Sequence, residues 1–297
     1  MLFTLISSLI ITQLFNPLFA NFERTIELKQ ALQGNQQNIQ APIRLNEENL
    51  GPKLTSRAAV VIDQDSREIL YGQNIHDPLP IASISKLMTA LVFLEQNPDL
   101  QKNFTLNDAD TTGAGVRYIA SGETVTLKDL LFTALIASDN NAAQSLVRAS
   151  KLDYDEFIGR MNQKAQDLGM LNTNFVEPTG LQYANISSAQ DVALLLSAAL
   201  DNELISDIIS HRSYSFVSVS GQEHKLSSTN KLLNSYLDVI GGKTGFNDEA
   251  KFNLVAAVAG EQDQVLLIVS LGSASSDARF DDVKVMAAWT FRNYLWP

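Results

Sequence analysis

Near its C-terminal end the chain reads Phe252-Asn253-Leu254-Val255-Ala256-Ala257-Val258-Ala259, then Gly260-Glu261-Gln262-Asp263-Gln264, then Val265-Leu266-Leu267-Ile268-Val269-Ser270-Leu271. Two apolar runs joined by a polar turn predict a pair of strands. Towards the other end, Ala58–Asp63 and Glu68–Tyr71 flank Gln64-Asp65-Ser66-Arg67 and predict a hairpin. Between these strands the apolar spacing turns helical. It predicts helices from Ser83 to about Glu95 and over Leu127–Ala137, Asn141–Ala149, Tyr154–Leu168 and Ala189–Ala199. A last amphipathic helix, Asp281–Tyr294 with Trp289, reads as one that packs on a core. Strands at both ends with helices between them predict an α/β chain of the α+β kind. An antiparallel sheet forms from both chain ends, a mainly helical lobe stands beside it, and the site lies in the cleft between them.

Upstream, Met1 to Phe15 is mostly apolar and is followed by Asn16-Pro17 and Ala20. This predicts a secretory signal peptide over residues 1–20 and export to the periplasm. The alternative is an uncleaved anchor, but Thr4, Ser7, Ser8, Thr12 and Gln13 make a poor spanning helix, and no stable membrane anchor is expected after cleavage. Residues 21–53 are rich in Gln, Asn and Glu and end at Gly51-Pro52, which reads as a linker or loosely attached arm. Residues 54–297 then form one catalytic domain.

Composition narrows the chemistry. With 22 Lys+Arg against 33 Asp+Glu the net charge is −11, so no nucleic-acid partner is expected. There is no cysteine, and the three histidines, His76, His211 and His224, are scattered. Neither a metal site nor a histidine-based triad is indicated, and a nucleophile in this chain needs another base.

Ser83-Ile84-Ser85-Lys86 supplies one at the predicted start of a helix. Side chains three residues apart lie on one helix face, so an uncharged Lys86 amine could accept the Ser83 proton. Discharging a lysine at pH 7 costs about 4.6 kcal/mol unless its surroundings lower the pKa. Alone the pair is weak: it recurs at Ser228-Thr229-Asn230-Lys231, and Ser83 or Ser85 can equally be read as a helix cap. Two further motifs change the balance. Ser138-Asp139-Asn140 lies between two predicted helices, and Lys243-Thr244-Gly245, which occurs once, stands just before the C-terminal strand pair. The ordered trio S-x-x-K, S-x-N and K-T-G belongs to penicillin-recognising serine enzymes.

With these motifs the chain resembles the low-molecular-mass penicillin-binding proteins, the D-alanyl-D-alanine carboxypeptidases and endopeptidases, nearest to the penicillin-binding protein 7 type of endopeptidase. The resemblance covers about residues 55 to 295. It includes the stretches from Pro80 to Ala90, Phe175 to Leu181 and Gly242 to Phe246. It implies a β-lactamase/transpeptidase-like fold and a serine DD-peptidase acting on the peptide stems of peptidoglycan through an acyl-enzyme. β-Lactams would be covalent inhibitors, and no cofactor or metal would be needed. Ser83 would be the nucleophile, Lys86 its base, Ser138 a proton relay, and Asn140 a holder of Lys86 and substrate. Lys243 and Thr244 would bind the substrate carboxylate, with Lys243 also depressing Lys86 by like charge. Gly245 would let the substrate lie along the strand edge, and the backbone N–H groups of Ser83 and Phe246 would form the oxyanion hole.

Asn247-Asp248-Glu249 departs from the small residues common at that place, and the two acids are expected to face solvent. The chain stops at Pro297, which favours the shorter endopeptidase type over carboxypeptidases with a second domain. Two alternatives share the motifs. In a β-lactamase a carboxylate such as Glu177 would activate the deacylating water, although the setting Glu177-Pro178-Thr179-Gly180-Leu181 matches the peptidases. A wall-sensing or scaffold protein would keep the fold without turnover.

Overall fold

Every residue of Ala58–Asp63 (β1) is buried, which requires a sheet covered on both faces. In the computed structural model, which describes residues 40–297 except Ala114 and Val116, it is. Ala58, Val60 and Ile62 point into the larger core, and Ala59 and Val61 into a smaller one. The chain turns at Arg67, which takes a left-handed φ of 61°, and returns as Ile69–Gln73 (β2). The remaining strands are Asp238–Asn247 (β3), Lys251–Ala259 (β4) and Val265–Ser273 (β5). The sheet order is β3-β4-β5-β1-β2 with every neighbour antiparallel. Both ends of the catalytic segment thus build one sheet, as expected. The ten-residue β3 was not legible from periodicity, because Gly241, Gly242 and Gly245 dilute its apolar pattern.

The helices are Ser85–Leu94 (α1), Leu127–Ile136 (α2), Asn140–Ala149 (α3), Tyr154–Asp167 (α4), Ala189–Leu200 (α5), Glu203–Ser210 (α6) and Ala278–Asn293 (α7). In α7, Phe280, Val283, Met286 and Ala287 cover one face of the sheet. The opposite face joins the helical lobe through α5, whose Val192, Leu195 and Leu196 are buried. From Ser85 to Phe93 every residue of α1 is buried, the position of a helix running through the middle of a lobe. Thr126 and Asp129 form a capping box at the start of α2, and Asp139 caps α3 by accepting from the Ala142 N–H. A hairpin of Ser213–Val217 and Glu223–Ser227 had no clear sequence signal; Tyr214, Phe216, His224 and Leu226 face inward along it.

Residues 1–39, with the expected signal peptide and most of the expected arm, lie outside the described residues. The end of that arm is placed: Ile43–Arg44 pairs antiparallel with Tyr294–Leu295, and Asn49 accepts from the Trp289 indole N–H at 3.0 Å. Among the described residues no helix is long and apolar enough to cross a membrane.

Candidate active site

Ser83 sits in a tight 3-10 turn, Ala82–Ile84, that runs straight into α1. The turn begins at Ala82, a buried residue with φ of 49°, an arrangement that persists only where neighbours enforce it. Two glycines do so. Gly180 has φ of 83°, and a Cβ there would lie 1.9 Å from the Ala82 carbonyl oxygen. A Cβ on Gly245 would lie 2.5 Å from the Ile81 carbonyl oxygen. Gly245 is therefore already required by the approach of β3 to the Ser83 turn, before any substrate is considered.

No side chain caps the start of α1, so neither Ser83 nor Ser85 plays the cap role. Ser85 Oγ instead donates to the Ala82 carbonyl at 2.8 Å and accepts from Asn185 Nδ2 at 3.0 Å. Ser83 is half-buried and faces Lys86. Lys86 Nζ is 2.9 Å from Ser83 Oγ, 2.7 Å from Asn140 Oδ1 and 2.6 Å from the Thr179 carbonyl oxygen. An ammonium donates to all three. In the neutral amine, Asn140 and Thr179 keep the two remaining protons and leave the lone pair directed at the Ser83 hydroxyl.

Burial lowers the Lys86 amine to about 7, against the opposing pull of Glu177 and Asp139. The Lys86 and Lys243 ammonium groups oppose each other's charge, a repulsion that acts on both. Lys243 is itself held well below its usual value, by burial first and then by the charges of Lys86 and Arg279. Lys243 is fully buried and faces both of these cations.

Ser138, at φ of 61°, places its hydroxyl 2.7 Å from Lys243 Nζ. Thr244 donates to Thr229 Oγ1 at 2.7 Å. Phe246, half-exposed, stacks on Phe252 with centroids 4.5 Å apart. All eight residues singled out from the sequence therefore lie on three neighbouring elements: the Ser83 turn with α1, the start of α3, and β3. The second S-x-x-K copy is not brought in, since Lys231 is mostly exposed and pairs with Asp277 at 3.2 Å. Asp248 and Glu249 are exposed, as anticipated.

Two residues that the sequence reading did not use belong to the surroundings. Arg279, buried near the start of α7, donates to the Gly245 carbonyl at 3.2 Å and lies over the Phe280 ring. It lies just ahead of the last helix as read from the sequence, which begins at Asp281, so no apolar spacing marked it. Thr179 contributes a carbonyl, which no side-chain motif can announce. Glu177 is spent on its own loop: its carboxylate accepts from Thr179 N at 2.7 Å, Thr179 Oγ1 at 2.6 Å, Gly180 N at 2.5 Å and Asn185 Nδ2 at 3.1 Å. A carboxylate so occupied has little capacity left to activate a water.

Residues 45–274 match the S11 peptidase family, described as D-alanyl-D-alanine carboxypeptidase. The chain belongs to this peptidase family. It is 33% identical over 254 residues to the D-alanyl-D-alanine endopeptidase of Escherichia coli (strain K12), covering 83% of this chain and 80% of that protein. It is 30% identical to the D-alanyl-D-alanine carboxypeptidase DacF of Bacillus subtilis (strain 168), covering 80% of this chain but only 63% of the relative. The Streptomyces K15 DD-transpeptidase crystal structure superposes with a TM-score of 0.76 at 28% identity, over 82% of this chain and 99% of that one. The fold is thus the penicillin-binding, transpeptidase-like one, and the protein is a serine-type DD-peptidase of family S11.

Proposed function

We propose that the protein is exported through residues 1–20 to the periplasm. There it cleaves D-alanyl bonds in peptidoglycan, in cross-links, at terminal D-alanyl-D-alanine, or in both. Ser83 Oγ attacks the carbonyl carbon of the penultimate D-residue while Lys86 takes the hydroxyl proton. The C–N bond breaks, the leaving amine receives a proton relayed through Ser138 and Lys243, and the acyl group stays on Ser83 as an ester. Water then attacks that ester with Lys86 again as base, releasing the shortened stem and free Ser83. The N–H groups of Ser83 and Phe246 stabilise the oxyanion, each such donor contributing about 3–4 kcal/mol. Lys243 and Thr244 hold the substrate carboxylate, with the Arg279 charge close by. A β-lactam enters by the same route and leaves slowly.

The observation that carries this reading is the three-way contact of Lys86 Nζ with Ser83 Oγ, Asn140 Oδ1 and the Thr179 carbonyl, in a place that brings the amine to about 7. The occupied carboxylate of Glu177 favours a peptidase over a β-lactamase. Incubating the protein with a fluorescent penicillin and following intact mass tests the proposal. One adduct per chain, lost in Ser83→Ala and persisting for minutes, is expected. No adduct would leave the scaffold reading in front, and fast turnover of the drug would mean a β-lactamase. Cross-linked and uncross-linked muropeptides then separate endopeptidase from carboxypeptidase.

A further inference from the structure

His224 lies on the second strand of the 213–227 hairpin, away from every residue given a chemical role above. It is 8% exposed, stacks on Phe216 with centroids 4.6 Å apart, and places Nε2 2.5 Å from Glu123 Oε1. The other Glu123 oxygen accepts from the Ala120 N–H at 3.0 Å. Glu123 therefore closes the end of the loop that leads back through Tyr118, whose N–H donates to Asp139 Oδ2 at 2.7 Å. The same loop bonds Asn141 Oδ1 through the Thr112 N–H at 3.0 Å, and its Gly115 lies so close to Asn140 that a Cβ would stand 2.5 Å from Nδ2. Asp139 is the residue between Ser138 and Asn140, and Ser138 occupies a left-handed conformation that the surroundings have to hold.

Hairpin and loop are not packed together along their whole length. An open surface depression of about 530 Å³ lies between them, lined by Tyr118, Gly122, Glu123, Ser220, Gln222 and His224. Across this gap the segments are joined by contacts of Glu123 with His224 and with Ser218, and by a backbone bond from Val219 N to the Thr124 carbonyl at 2.9 Å. Burial alone would push the Glu123 carboxyl up, but hydrogen bonds from His224, Ala120 and Ser218 outweigh it and leave the carboxyl below its usual range. The pair is a made contact, not a chance encounter of two exposed side chains.

We infer that His224 and Glu123 are positioning residues, a clamp that holds the loop before Glu123 against Asp139 and so fixes Ser138 and Asn140 opposite Ser83 and Lys86. This inference rests on the proposed acylation of Ser83. In a preorganised site a small displacement of the proton-transfer groups slows the chemistry while leaving the fold intact.

The test compares wild type, His224→Ala and His224→Gln. It reads the second-order rate of Ser83 acylation by a fluorescent penicillin, thermal unfolding, and amide exchange over residues 107–123. In His224→Ala acylation slows by about tenfold and exchange quickens in that loop but not in α7, whereas His224→Gln, which keeps a donor for Glu123, returns to within about threefold of wild type. A His224→Ala rate within about twofold of wild type, unchanged loop exchange, or a Gln variant as slow as the Ala variant would overturn the clamp. If the Ala variant does not fold, Glu123→Gln, which keeps an acceptor but loses the charge, takes its place and must show the same local exchange and a slower rate. Wild type is labelled in every one of these outcomes. Failure of wild type itself to form an adduct would instead refute the acyl-enzyme on which the inference depends.

Discussion

At the residue scale the site turns on how a lysine is kept discharged. Lys86 is fully enclosed, and that desolvation is the largest cause that brings its amine to about 7. The base form exists above that value and is lost as protons are added below it. Acylation of Ser83 should therefore fall on an acid limb centred near 7, read from the pH dependence of penicillin labelling. Glu177 opposes this lowering by its charge. Glu177→Gln removes the charge, so the acid limb should move to lower pH. The same change leaves donors of the 177–185 loop facing an amide where they now meet a carboxylate. Stability should drop by about 2–3 kcal/mol, measured by urea unfolding. An unshifted limb would mean that Glu177 does not act on the Lys86 charge. The sequence exposed the Ser83–Lys86 pair directly, because three residues of helix fix their separation. It did not expose the Thr179 carbonyl or Arg279, because neither is marked by a side-chain spacing.

Elements carry these residues to their places through their own end signals. Thr126 and Asp129 exchange hydrogen bonds at the start of α2, whose far end leads into Ser138. Thr126→Ala should cost about 1 kcal/mol of stability, seen as a lower urea midpoint with an unchanged slope. Labelling of Ser83 in the folded protein should stay near wild type, since the cap sits at the end of α2 away from Ser138. Most helices were legible because their apolar spacing and caps are local: α2 and α5 begin at the residues expected, Leu127 and Ala189. β3 and the 213–227 hairpin were not. Their stability comes from neighbours distant in the chain, and glycines or polar residues fill much of their length.

For the whole molecule, the consequence of building one sheet from two chain ends is that each end supports the other. Residues 41–53 pair with the last strand and bond α7: Leu45 N donates to the Asn293 carbonyl at 2.8 Å, and Asn49 Nδ2 to Asn293 Oδ1 at 2.9 Å. Removing residues 1–53 should lower stability by about 1–2 kcal/mol, measured by thermal unfolding, with the rate of Ser83 labelling unchanged. These contacts lie at the end of α7, whereas Arg279, at its start, is the part of that helix that reaches Gly245. The sequence by itself determined the helical lobe, the paired apolar strands at both ends and the three motifs, since each is written in residues close together along the chain. Only the tertiary structure decided that β3 passes within reach of the Ser83 turn and that Lys243 is buried facing the charges of both Lys86 and Arg279. It also decided that Glu177 is consumed by its own loop and that His224 meets Glu123. Each of these depends on which groups lose water together, and that is settled by packing between distant segments.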